Sequence, residues 1–295
     1  MNGAVPLRVG GLPCVELQAP DGGRAVVSPF GAQVLSWQPH GGDERLFLSP
    51  LAALDGSGPI RGGVPVVFPQ FANLGPLPAH GLVRHRVWRL DAATAELAAF
   101  SLQDDEAGRA LWPLAFGLRF TVRLAGPSLW MRLEVTNRSA DAFAFQAALH
   151  TYLRVHDLAA LRLHGLGGAA YRDRADGGRD GRQPGAELAL AGDLDRIYPD
   201  APPVLTVHEP RQALQAGLGG GFKDLVVWNP GAERCARVPD LSPDSYQHFV
   251  CVEAACIVQP AVLQPGQTWW GEQRLTVMPG LSDGPAPAAA AGRAD

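Results

Sequence analysis

The chain has 295 residues, 46% of them hydrophobic and 18% charged, with a formal net charge of −4. Such a composition belongs to a globular protein with ample core, built as one large domain or two ordinary ones. It offers no basic surface for nucleic acid or an anionic membrane, and no apolar run approaches the roughly 18 residues of a membrane span. The four cysteines, Cys14, Cys235, Cys251 and Cys256, form no C-x-x-C pair, which argues against zinc. Cys251 and Cys256 lie in an apolar run and read as buried free thiols. Residues 1–11 carry no basic stretch followed by an apolar one, so no secretory signal is expected. A reducing cytoplasm is the expected location.

In chain order, short segments alternate apolar and polar residues between Gly, Pro, Asp and Asn. Strands are predicted at Arg24–Ser28 and Gln33–Gln38, then at residues 119–124, 130–136, Phe143–Leu149 and 273–278. In 119–124, Phe120, Val122 and Leu124 alternate with Arg119, Thr121 and Arg123, the pattern of a half-buried antiparallel strand. Short helical turns are expected at 51–54 and 92–99, a loop at 173–192 and a flexible insertion at 217–221. Residues 280–295 read as a disordered tail. No repeat or linker divides residues 1–279, so one all-β domain, a large antiparallel β-sandwich, is predicted there.

Residues 60–90 break the strand rhythm. Arg61 stands beside Gly62 and Gly63, and Gln70, His80, Arg84 and His85 surround Gly75, Pro76, Pro78 and Gly81. Charged and polar groups on a kinked backbone predict a pocket for a small polar, anionic ligand. A guanidinium holds a phosphate by two parallel hydrogen bonds, so Arg61 and Arg84 are candidate phosphate ligands, or else arginines that pin a loop. Gln70, His80 and His85 offer hydroxyl contacts and Phe71 a stacking face. Asp195 is a sugar-hydroxyl acceptor or a turn aspartate.

Two later residues add chemistry. His150 follows the strand Phe143–Leu149, and an imidazole with an ordinary pKa of about 6.5 suits proton transfer. Glu253 interrupts the apolar run 249–258. Burying an unpaired carboxylate is costly, so Glu253 is paired with an arginine, protonated or functional. No G-x-G-x-x-G follows a strand, no phosphate-binding P-loop occurs, and His80 with His85 matches no metal-ligand spacing, so no metal is expected.

Taken together, the blocks Gly31–Trp37, Ile60-Arg61-Gly62-Gly63-Val64-Pro65, Phe68-Pro69-Gln70-Phe71 and Pro78-Ala79-His80-Gly81-Leu82-Val83-Arg84 resemble the hexose-6-phosphate mutarotases, or glucose-6-phosphate 1-epimerases, of the aldose 1-epimerase superfamily. The match continues through Ala148-Leu149-His150-Thr151-Tyr152, Asp195-Arg196-Ile197-Tyr198, Val227-Trp228-Asn229-Pro230, Val252-Glu253 and Leu263-Gln264-Pro265-Gly266. The resemblance implies a galactose-mutarotase-like β-supersandwich and interconversion of the α and β anomers of an aldohexose 6-phosphate. It implies His150 as general acid, Glu253 as general base, Arg61 and Arg84 on the phosphate, and Gln70, His80 and Asp195 lining the sugar site. No cofactor is required, and the expected partner is a small hexose phosphate bound by a monomer. Two other readings remain open: a non-catalytic sugar-phosphate sensor on the same fold, and a glycoside hydrolase pairing Glu253 with Asp195.

Overall fold

The computed structural model describes residues 3–210 and 212–278; the tail expected at 280–295 lies outside them. Neighbouring strands run antiparallel in three sheets. A four-stranded meander holds Val5–Val9, Leu12–Gln18, Arg24–Ser28 and Gln33–Gln38. A nine-stranded sheet has at its centre Gln212–Gly220, Thr268–Val277, Ser128–Asn137 and Phe116–Ala125. An eight-stranded sheet runs through Ala170–Asp173, Leu194–Tyr198, Asp224–Asn229, Phe249–Leu263 and Phe143–Leu149.

The two large sheets pack face to face. Phe120, Met131, Leu133 and Leu275 of one join Phe145, Leu149, Val252 and Ala254 of the other in a shared core, as inward-facing rows of a sandwich do. The eight-stranded sheet is covered on its second face as well. There Phe71, Tyr152, Val226, Trp228, Cys251 and Ile257 form a separate cluster. This double burial explains the apolar run at 249–258: with both faces covered, the strand has no solvent side to alternate with. Val250, Val252, Ala254 and Cys256 face the sandwich core. Cys251, Glu253, Ala255 and Ile257 take the other side by the two-residue period. Glu253 is the one acidic side chain of that row.

The strands predicted from alternation are present, extended at 119–124 to Phe116–Ala125, at 130–136 to Ser128–Asn137 and at 273–278 to Thr268–Val277. Other expectations are corrected. Residues 92–99 form no helical turn; they belong to a hairpin of Arg89–Ala93 with Leu97–Gln103, because pairing of the second strand with 117–123 overrides the helix preference of its alanines. Residues 51–54 are not helical either. The loop at 173–192 contains the strands Arg179–Arg182 and Glu187–Ala189. Residues 217–220 are strand rather than insertion, paired with 271–274. Their glycines make room for neighbours: a Cβ on Gly219 would lie 2.6 Å from the Glu272 side chain, and one on Gly220 2.4 Å from the Trp270 ring.

The Arg61-Gly62-Gly63 segment passes close beneath two other segments of the backbone. A Cβ on Gly62 would sit 2.3 Å from the Phe47 carbonyl oxygen and one on Gly63 2.1 Å from that of Val34, with both residues at positive φ. Only glycine fits both constraints. Gln33 Nε2 donates to the Ile60 and Gly62 carbonyls, and Gln70 Nε2 donates to those of Ala72 and Leu77. The loop that carries Arg61, His80 and Arg84 is thereby fixed onto the sheet before any ligand arrives.

Candidate active site

Strand register brings the two candidate proton-transfer groups together. Leu149 pairs with Ala254, and Tyr152 pairs with Cys251 of the same long strand. Continuing that register across the gap sets His150 opposite Glu253. Directly opposed residues of an antiparallel pair project to one face. The imidazole Nε2 lies 3.4 Å from Glu253 Oε1, with 8% of His150 and 1% of Glu253 exposed. His150 Nδ1 and Glu253 Oε2 have no partner within the protein, so each group keeps one buried polar atom for a ligand.

The pair forms the floor of a cavity of about 210 Å³, also lined by Arg61, Phe71, His80 and Asp195. Six of the nine residues singled out in the sequence thus meet here; His85 is exposed and outside the lining. Gln70 is not in the lining; its amide is spent on Ala72 and Leu77, and its carbonyl oxygen accepts from Leu77 N–H. Arg84 stands behind, donating to the Ala79 carbonyl, with its Nε unpartnered. Arg174, Trp228 and Arg234 line the cavity as well. Arg174 comes from the segment read as a loop, where a Gly/Asp/Arg-rich composition gave it no distinguishing mark. Arg174 and Arg234 flank Asp195 at 3.5 and 3.7 Å. A larger cleft of about 760 Å³ beside the hairpin 170–182 shares Arg174 but includes neither His150 nor Glu253. The chemistry therefore points to the smaller space.

Each side chain is held by a neighbour. Arg61 donates from Nε to Asp240 and from a terminal nitrogen to the Tyr152 hydroxyl, both at 3.0 Å. Tyr152 lies flat on the His150 ring, 4.8 Å between centroids and 12° between planes. His80 meets His150 edge-on at 5.2 Å and occupies left-handed backbone space at φ 65°, which a non-glycine residue adopts only when its surroundings hold it there. Its Nδ1 accepts from Ala72 N–H at 3.4 Å, which leaves Nε2–H as a donor.

Burial sets the protonation of this group. It pushes His80 down to about 3, helped by Arg84, Arg61 and Arg174, so His80 is a neutral donor. Burial lowers the His150 pKa well below 6.5, and His80, Arg61 and Arg84 add to the effect. Burial raises Glu253 well above the usual carboxylate range, with Asp195 adding and Arg174 opposing. Asp195 is raised by burial against the pull of Arg174 and Arg234. For Arg61, burial opposes the cation, but Tyr152 and Asp240 outweigh it and its pKa rises. His150 and Glu253, 3.4 Å apart, titrate as one coupled pair, with the imidazole shifted down and the carboxyl shifted up by their shared burial.

His150, Cys251 and Glu253 also bring three metal-ligating side chains together, with donor atoms within 4.8 Å of one another. Tetrahedral zinc, with bonds of about 2.0–2.3 Å, needs its donors closer than roughly 4 Å. Burial and Glu253 hold the Cys251 thiol well above its usual pKa, which makes it a poor ligand. The cluster fits proton transfer better than a metal.

The sequence model described as Aldose 1-epimerase matches residues 13–276. The chain belongs to the aldose 1-epimerase family. It is an isomerase, a mutarotase that interconverts the α and β anomers of its sugar. This epimerase is 32% identical over 265 residues to a Cenchrus ciliaris protein provisionally named glucose-6-phosphate 1-epimerase, covering 85% of this chain and 80% of the other. An Escherichia coli protein with the same provisional name is 31% identical, with 76% and 77% covered. Among solved structures, a provisionally named mutarotase of Salmonella typhimurium matches with TM-score 0.85 and 27% identity, covering 93% of each chain. A galactose mutarotase related enzyme of Lactobacillus acidophilus, 16% identical, shares the fold with TM-score 0.74 over 90% of this chain and 97% of the other. The epimerase is thus the all-β, galactose-mutarotase-like supersandwich that the sequence implied. No helix among the described residues is long and apolar enough to cross a membrane.

Proposed function

We propose that this epimerase acts on an aldohexose 6-phosphate, glucose 6-phosphate first among them, with Glu253 as base and His150 as acid. The observation that carries the reading is Arg61 in the cavity wall with His80 and His150, with Arg84 behind it on the same loop, donating to the Ala79 carbonyl. Two arginines beside a proton-transfer pair suit a sugar that bears a dianion at the end remote from its reacting carbon. The names of the relatives point the same way.

Mutarotation moves two protons. The base takes the proton of the anomeric hydroxyl while the acid protonates the ring oxygen, and the C1–O5 bond breaks to give the open aldehyde. Rotation about C1–C2 presents the other carbonyl face, and closure runs the transfers backwards. Both oxygens sit on one carbon, so acid and base must be neighbours, and a 3.4 Å separation meets that demand. His80 Nε2–H and the Asp195 carboxylate are the groups proposed to fix the sugar hydroxyls, with Phe71 as an apolar wall. Every group in this scheme comes from one chain and none is a cofactor. A cytoplasmic monomer is the form proposed.

The Arg84→Ala variant tests the phosphate assignment. It is expected to lose about 10- to 100-fold in kcat/KM on glucose 6-phosphate, as removal of a charge-assisted contact worth roughly 1.5–3 kcal/mol implies. Free glucose turnover should fall far less. Equal losses on both substrates would remove the phosphate role.

The pH profile on free glucose, which has no phosphate to titrate, is a second check. Adding a proton to the pair requires His150, whose pKa is lowered from 6.5, so the acid limb of kcat/KM lies below that value. Removing the last proton requires Glu253, whose pKa is raised from 4.5, so the alkaline limb lies well above it. An acid limb displaced below 6.5 is expected, and a limb centred near 6.5 would contradict the lowered His150 pKa.

A further inference from the structure

Gly271, Gln273 and Leu275 share the buried side of Thr268–Val277 by the two-residue period. Leu275 belongs to the sandwich core, and beside it the Gln273 side chain is fully buried. A glutamine in such a row is informative, because a buried amide must find partners for its donor and its acceptor. Gln273 finds them across the core, in the other sheet. Its Nε2 donates to the Val252 carbonyl at 2.9 Å, and its Oε1 accepts from the Thr151 hydroxyl. Those two residues stand one step along their strands from Glu253 and His150.

The contact repairs a break in the sheet. The register that pairs Leu149 with Ala254 and Tyr152 with Cys251 sets Thr151 opposite Val252. Val252 N–H donates to the Thr151 carbonyl at 3.0 Å, one half of an antiparallel rung. The other half is diverted. Thr151 N–H turns back to the Leu149 carbonyl at 2.9 Å, closing a three-residue turn centred on His150. The Val252 carbonyl loses that donor inside a buried strand, and the Gln273 amide takes its place. We propose that Gln273 is a positioning residue for the proton-transfer pair. By bridging Thr151 and Val252 it fixes the turn that aims His150 against the strand that carries Glu253, and so sets their 3.4 Å separation. The inference rests on the reading of His150 and Glu253 as acid and base. Gln273 is not in the cavity lining, so it acts only through these two neighbours.

Gln273→Met tests the role, since methionine is as unbranched as glutamine and makes neither hydrogen bond. Anomer exchange of glucose 6-phosphate is measured well below the melting temperature of the variant. A fall of about 10- to 100-fold in kcat is expected, with KM within about twofold of wild type, as when reacting groups are misplaced by up to about 1 Å. In a Glu253→Gln background the same substitution should cost nothing further, because the pair whose spacing it sets no longer works. A role in stability alone predicts a lower melting temperature with wild-type kcat. That result would overturn the proposal, as would a loss that multiplies fully with that of Glu253→Gln. If Gln273→Met does not fold, Thr151→Val removes the hydroxyl that holds the Gln273 carbonyl and keeps the branched shape. A kcat loss of at least about threefold, restored in Thr151→Ser, then supports the proposal, and a wild-type rate contradicts it. Should Glu253→Gln itself be fully active, the acid–base reading fails and the positioning role falls with it.

Discussion

Replacing Glu253 by glutamine is expected to lower kcat for anomer exchange by about 10²–10⁴-fold while sugar-phosphate binding and the folded state persist. The amide copies the carboxyl's shape and still offers the His150 ring a hydrogen-bond partner, but it cannot take the anomeric proton. The substitution should also cost little stability, for a reason particular to this site. Burial already favours the neutral carboxylic acid at Glu253, so glutamine exchanges one neutral group for another. A thermal melt close to wild type beside a lost exchange rate is the expected pair of results. An active Glu253→Gln protein would remove the base assignment.

The His150→Asn variant should lose a similar about 10²–10⁴-fold in kcat, but with a visible stability penalty. Its ring packs flat on Tyr152 and edge-on against His80 and Trp228, and asparagine restores none of those contacts. A loss of roughly 1–3 kcal/mol in unfolding free energy is expected. Acid and base act on the same sugar carbon, so their losses should not add. The double variant Glu253→Gln/His150→Asn should be about as slow as either single one, as in other catalytic groups that work as a unit. Full additivity, measured by the same exchange assay, would mean that the two residues serve separate steps.

The strands of the nine-stranded sheet were legible because one of its faces meets solvent, so Arg119, Thr121 and Arg123 mark that face. Glu253 was legible for the opposite reason, as a carboxylate in a strand buried on both faces. Its partnership with His150 was not readable from spacing, since it depends on the register by which Leu149 meets Ala254 and Tyr152 meets Cys251. Arg174 and Arg234 escaped notice because a chain whose basic residues are nearly all arginine does not set two of them apart. Gln70 was read for its type, whereas the backbone around it claims its amide. The alanines at 92–99 showed local propensity, and sheet pairing decided their structure.

The most direct measurement is the exchange rate between α- and β-glucose 6-phosphate, followed by NMR saturation transfer with catalytic amounts of the protein and repeated with free glucose. The account predicts acceleration over the spontaneous rate, a marked preference for the phosphate, and loss of the effect in Glu253→Gln. Saturable binding of glucose 6-phosphate with no acceleration of either sugar would contradict it and leave a sugar-phosphate-binding protein on a mutarotase fold.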